Sequence, residues 1–157
     1  MQTNTCNYCN MNEYLIIESR NWLALIDSEE IWYIKSDGNY SIIYLTNGKE
    51  MRVRLNLGNV ERMIERYIPN YQRIFRRIGK GLIINKKHLY GIDLSSQEVR
   101  LFNRKADGYM NGYAAGYSDG KSEKQSLFKN IRGLEVSLPA SKEALEALKN
   151  EIEQNMQ

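Results

Sequence analysis

The chain has 157 residues, 42% of them hydrophobic and 26% charged, with only two prolines. That length suits one core in which folding buries about two thirds of the exposed surface, and the composition argues against a fibrous or disordered chain. A net charge of +3 is too small to mark a nucleic-acid binder, so any such argument rests on where the charges lie.

Residues 1–12 are polar and read as a flexible tail. They lack the charged start and apolar core of a secretion signal, and no apolar run reaches the roughly 18 residues of a membrane span, so a cytoplasmic protein with no membrane partner is expected. Cys6 and Cys9 form one Cys-x-x-Cys in this tail. A zinc site takes four ligands and the lone histidine, His88, is far away in sequence, so free thiols are expected unless two chains pool their cysteines. No metal or cofactor is implied.

After the tail, Tyr14 to Glu18 and Trp22 to Ile26 are short apolar runs on either side of Ser19-Arg20-Asn21, which predicts two strands and a turn. A third strand starts at Ile31. Beyond Asp37-Gly38-Asn39, Tyr40 to Leu45 is apolar on both faces. Asn47-Gly48 predicts a type I′ hairpin turn, because both residues accept positive φ, and Met51, Val53 and Leu55 alternate with Glu50, Arg52 and Arg54 on the returning strand. From Asn56 the period changes to three and four: Leu57, Val60, Met63, Ile64 and Tyr67 predict an amphipathic helix capped by Asn56 and stopped by Pro69. Leu82 to Ile84 is a further strand, and Leu89 to Leu94 with Glu98 to Phe102 form a hairpin around Ser95-Ser96. Residues 103–133 carry Gly-Tyr pairs at a four-residue period and few aliphatic side chains, so this insertion is expected to loop out or to form a partner-dependent helix. Leu134, Val136 and Leu138 predict a last strand, and Pro139 to Gln154 a closing helix whose Leu145, Leu148 and Ile152 share one face. The expected fold is therefore mainly β, a β-rich α+β arrangement of short strands with one central and one C-terminal helix, forming one domain over residues 13–154.

Charge is uneven along this order. Between Arg66 and Ile92 there is no Asp or Glu, whereas Arg73, Arg76, Arg77, Lys80, Lys86 and Lys87 all fall in the interval. A basic stretch by itself is as readily a solvated face as a binding surface. No Ser-His-Asp set, His-Glu metal pair or phosphate-cradling glycine loop is present, so an enzyme is not expected. A protein-interaction module using residues 103–133 remains the alternative to nucleic-acid binding.

Two motifs decide between these readings. Glu30-Ile31-Trp32-Tyr33-Ile34-Lys35-Ser36-Asp37-Gly38-Asn39-Tyr40 resembles the opening motif of the LytTR family of bacterial DNA-binding domains, in which a strand enters a short loop ending in Gly-Asn-Tyr. Phe75-Arg76-Arg77-Ile78-Gly79-Lys80-Gly81-Leu82-Ile83-Ile84-Asn85 resembles its second signature, commonly Arg-Ile-His-Arg-Ser, an apolar pair and Asn. The hairpin and helix between the motifs also match, and the resemblance covers about Tyr14 to Phe102 and Leu134 to Ile152.

The resemblance implies a fold of about ten short strands in antiparallel sheets, and a transcription regulator whose loops, and not a recognition helix, enter successive major grooves of double-stranded promoter DNA, as copies on direct repeats or as a homodimer. It puts Asn39 and Tyr40 in the first reading loop and Lys80 at a base-contacting position, with Asn85 inside the second motif. Ser141-Lys142 is the nearest match to a third contact pair, with Ser137 an alternative, and Arg76, Arg77, Lys86 and Lys87 would hold phosphates. Tyr40 is equally readable as a core ring. Gly79 and Gly81 stand where the family usually has His and Ser, which removes two hydrogen-bonding side chains from that loop. No receiver domain is expected ahead of the first motif, so this response-regulator-like chain would be controlled by other means.

Overall fold

The computed structural model describes residues 13–105 and 135–156. Cys6, Cys9, Leu134 and the Gly-Tyr repeat lie outside the described residues.

Strands β1 (Tyr14–Glu18) and β2 (Leu23–Asp27) pair as a hairpin on the predicted polar turn. A 3-10 turn, Ser28–Glu30, leads into β3 (Ile31–Asp37), β4 (Tyr40–Leu45) and β5 (Glu50–Val53). Helix α1 (Leu57–Tyr67) follows, with the Asn56 side chain accepting from the Asn59 amide at 2.9 Å, and it ends two residues before Pro69, which cannot continue a helix. A second 3-10 turn, Tyr71–Arg73, precedes β6 (Phe75–Ile78) and β7 (Leu82–Asn85). A third, Lys86–His88, precedes the hairpin of β8 (Leu89–Asp93) and β9 (Glu98–Phe102). Strand β10 (Glu135–Pro139) and helix α2 (Lys142–Asn155) complete the order. The fold is mainly β, with ten strands among the described residues, all paired antiparallel, as the sequence predicts.

The central layer is a five-stranded sheet, β5-β4-β3-β7-β6, and both of its faces are covered. Side chains alternate along a regular strand, so Tyr33 and Ile34 of β3 enter different cores, while an irregularity between Ile31 and Tyr33 puts Trp32 on the same side as Tyr33. On one face Ile34, Ile43, Val53 and Ile83 pack with Leu57, Val60 and Ile64 of α1 and with Leu15, Ile17 and Ile26 of the β1–β2 hairpin. On the other, Tyr33, Ile78, Leu82 and Ile84 meet Val99, Leu101 and Leu138 of the β10-β9-β8 sheet and Leu145 and Leu148 of α2. Each fully buried aliphatic side chain contributes about 1.5–3 kcal/mol relative to exposure, which is why the apolar runs of β3 and β7 stay at the centre.

Two local expectations are corrected. Asn47-Gly48 does not make the type I′ turn: only Gly48 has positive φ, at 90°. The loop is longer because Thr46 is held from outside it, donating to the Glu30 carbonyl at 2.9 Å and accepting from Asn103 at 2.8 Å. The closing helix does not begin at Pro139, which ends β10. As a sheet edge, that strand tolerates the missing N–H, and the Ala140 amide extends its course by donating to Gln97 at 3.0 Å, leaving Ser141 to cap α2.

Candidate nucleic-acid interface

Antiparallel register gathers loops from distant parts of the chain at one end of the central sheet. Asp37 pairs with Tyr40 around the Gly38-Asn39 turn, and Lys35 pairs with Leu82, so the β3–β4 and β6–β7 turns are neighbours. The Ser36 amide, donating to the Gly81 carbonyl at 2.9 Å, ties them together. The β10–α2 connection reaches the same place. It shares with the β6–β7 turn a cleft of about 560 Å3, whose walls include Lys35, Lys80, Pro139 and Ser141. Thus Lys80 and Ser141, about 60 residues apart in sequence, border one concavity.

The second loop is built to present Lys80. Gly79 sits at φ +61°, a left-handed conformation that the family's usual His would adopt only with strain, and a Cβ at Gly81 would meet Ser36 Oγ at 3.3 Å. The two departures from the family motif therefore go with a tight turn. Arg77 fixes that turn from behind: Nε donates to the Gly79 carbonyl at 3.0 Å, Nη2 to the Lys80 carbonyl at 3.1 Å and Nη1 to Glu61 of α1 at 3.1 Å. Lys80 itself is exposed and has no ion pair among the described residues.

Asn39 is exposed at the first turn. Tyr40 is half-buried yet belongs to neither core; the Arg52 guanidinium lies 4.5 Å from its ring centroid and also pairs with Asp37 at 3.1 Å. A cation on one face of the ring leaves the hydroxyl and the other edge for a partner. Ser141 Oγ accepts from the Ala144 amide at 3.3 Å, which keeps its hydroxyl proton available, and Lys142 is exposed in the first turn of α2. Ser137, in the middle of β10, is not part of the cleft.

The remaining cations do not join this end. Arg76 bridges to Glu151 of α2 at 3.1 Å, as does Lys86 at 3.6 Å, and Lys87 pairs with Glu29 at 3.6 Å. Lys86 and Lys87 follow the far end of β7, roughly 15 Å from the Lys80 turn at a strand's rise of ~3.3 Å per residue. Asn85 is buried: its amide donates to the Ile31 carbonyl at 2.8 Å and its oxygen accepts from the Lys87 amide at 3.0 Å, so it acts as a clamp inside the fold.

Three cations near the loops escape a motif-based reading. Lys35 pairs with Ile42 and Ile42 with Arg52, so all three side chains leave the same face of the sheet, and Arg54 is exposed just past β5. Their signal was the alternation of Arg52 and Arg54 with Met51 and Val53, which becomes informative once the hairpin register is known. Deeper on that face Tyr33 stacks on Tyr44, with centroids 4.3 Å apart, and burial pushes the Tyr33 hydroxyl up to about 12, so the ring pair is neutral.

The sequence model of one family, described as the LytTr DNA-binding domain, matches residues 22–108. Among solved structures, a LytTr DNA-binding domain of a methyl-accepting/DNA response regulator from Bacillus cereus is similar at 11% identity, with a TM-score of 0.43, covering 66% of this chain and 94% of that one. No curated protein matches the chain. The family match covers more than half of the 157 residues and includes both motifs and the helix between them, and on that ground the chain belongs to the LytTR family of DNA-binding domains.

Proposed function

We propose that this protein is a cytoplasmic transcription regulator that reads double-stranded DNA in a sequence-specific way, inserting the loops at one end of its central sheet into the major groove. The observation that supports this most is the convergence of the β3–β4, β6–β7 and β10–α2 connections on one exposed, cation-bearing edge. In this reading Lys80 donates to guanine acceptors, Asn39 and Ser141 bond base edges, and Tyr40 packs on a thymine methyl or bonds a phosphate. Lys35, Arg52, Arg54 and Lys142 supply backbone charge. Arg77 and Asn85 act from behind the surface, and Arg76, Lys86 and Lys87 are left to another role. Copies would sit side by side on direct repeats, or as a homodimer on the DNA.

Fluorescence anisotropy with duplex from the protein's own promoter and with a shuffled duplex tests this. Lys80→Ala is expected to weaken the promoter complex about tenfold, or ~1.4 kcal/mol, and to relax preference at one base position. Equal losses on both duplexes would reduce Lys80 to a phosphate contact, and no binding to either at low salt would end the proposal.

A further inference from the structure

At the other end of the central sheet the three 3-10 turns, Ser28–Glu30, Tyr71–Arg73 and Lys86–His88, border a cavity of about 390 Å3. Its walls are tied together by backbone. The Lys86 amide donates to the Ile74 carbonyl at 2.7 Å, joining the second turn to the third, and Asn85 spans from the Ile31 carbonyl to the Lys87 amide, joining the third to the strand that follows the first.

One hydroxyl in this wall has no partner. Ser28 is 0% exposed, and its Oγ makes no hydrogen bond within the fold. Buried hydroxyls are nearly always satisfied, so this one calls for an acceptor from outside the fold. The charges around it favour an anion. Arg73, Lys86 and Lys87 line the cavity, against Glu13 and Glu29. Glu29 is already engaged by Lys105 at 3.1 Å. Arg73 is exposed without an ion pair among the described residues, and the contacts of Lys86 to Glu151 and of Lys87 to Glu29 are both 3.6 Å, longer than a charge-assisted hydrogen bond. Each ammonium therefore has donors to spare.

We propose that this cavity binds the phosphate group of a small phosphorylated ligand, with the Ser28 hydroxyl and the Arg73, Lys86 and Lys87 side chains as its donors. The group required is one that accepts hydrogen bonds and carries more than one negative charge, since three cations and a hydroxyl converge there and outnumber the carboxylates of Glu13 and Glu29; a phosphomonoester dianion meets both conditions. A cavity of this size also holds a sugar- or nucleoside-sized remainder, for which Ile74 offers apolar wall. DNA is the other source of phosphate, but the reading loops lie at the opposite end of the sheet, so the site is assigned to a free ligand that could bind alongside the duplex. The charges given to Lys86 and Lys87 by the sequence thus belong to a second, separate site.

Inorganic phosphate is the probe. Titrated into the full chain at constant ionic strength, it is expected to move the amide resonances of Ser28, Arg73, Ile74, Lys86 and Lys87 saturably. Ser28→Ala removes only an unpartnered hydroxyl and Arg73→Gln changes an exposed side chain, so both variants should fold, and each should bind phosphate at least fivefold more weakly. Shifts that do not exceed a chloride control, or variants that bind as the wild type does, would overturn the site. Adding saturating promoter duplex separates the sources: phosphate retained on the complex supports a free ligand, and phosphate displaced by DNA overturns that assignment in favour of a backbone contact.

Discussion

Between pH 6.5 and pH 4 the protein is expected to lose about 3 kcal/mol of folding stability through His88 alone. The imidazole is 0% exposed, and Nδ1 accepts from the Arg104 amide at 3.0 Å. Burial pulls its pKa down to about 4, helped by the cations of Arg104, Lys87 and Lys105 and opposed by a backbone bond with Phe102. The unfolded chain therefore takes up a proton near pH 6.5 that the folded chain refuses until near pH 4. Stability is complete above the first value, falls with a slope approaching ~1.4 kcal/mol per pH unit, and levels off below the second. Carboxylates act lower down: Glu29 is held below its usual range mainly by its bond to Lys105, and it loses its contribution only as pH falls through that depressed value. Urea unfolding at pH 7, 6, 5 and 4.5 measures the loss. His88→Asn, which keeps an acceptor near the Nδ1 position, should start less stable at pH 7 and show a clearly flatter profile. Parallel profiles for the two proteins would rule out the assignment.

Arg77→Met is expected to weaken the promoter complex about thirtyfold while the slope of log affinity against log salt stays as in the wild type. Without the guanidinium, the glycine-flanked Lys80 turn loses its bonds to Gly79, Lys80 and Glu61, and binding must order it instead. Fixing one or two backbone residues costs about 2 kcal/mol, which sets the size of the effect. The sequence-based role for Arg77, a phosphate contact, makes the opposite forecast: removing it would release one fewer counterion and reduce the salt slope by about 0.9. Titrations at two or three salt concentrations decide between them.

These cases show what the sequence could and could not reveal. The strands and α1 were readable because their signals are local: alternation in β5, and the Asn56 cap and Pro69 stop around α1. The β6–β7 turn was recognisable through its resemblance to a known motif. The surroundings of its neighbours were not, because they depend on groups distant in sequence. Arg77 turns inward to reach Glu61, 16 residues away, and Asn85 is clamped to Ile31, 54 residues away. A run of cations looks uniform along the chain, yet strand pairing sends Lys80 to one end of the sheet and Lys86 and Lys87 to the other. The Asn47-Gly48 turn was misread for the same reason, since Thr46 is held by residues from two other parts of the fold.

The pairing of Phe102 with Glu135 means that the chain leaves β9 and re-enters β10 at adjacent positions. Asn103 and Lys105 secure the exit through Thr46, Glu29 and Glu30 before the excursion begins. These bonds and the β9–β10 ladder hold the two anchors together through described residues alone, so closing a flexible linker of twice the length between the same anchors costs only about 0.6 kcal/mol more. This makes it a permissive splice point, where a fluorescent peptide or an affinity handle could be grafted with the hairpin still closing around it.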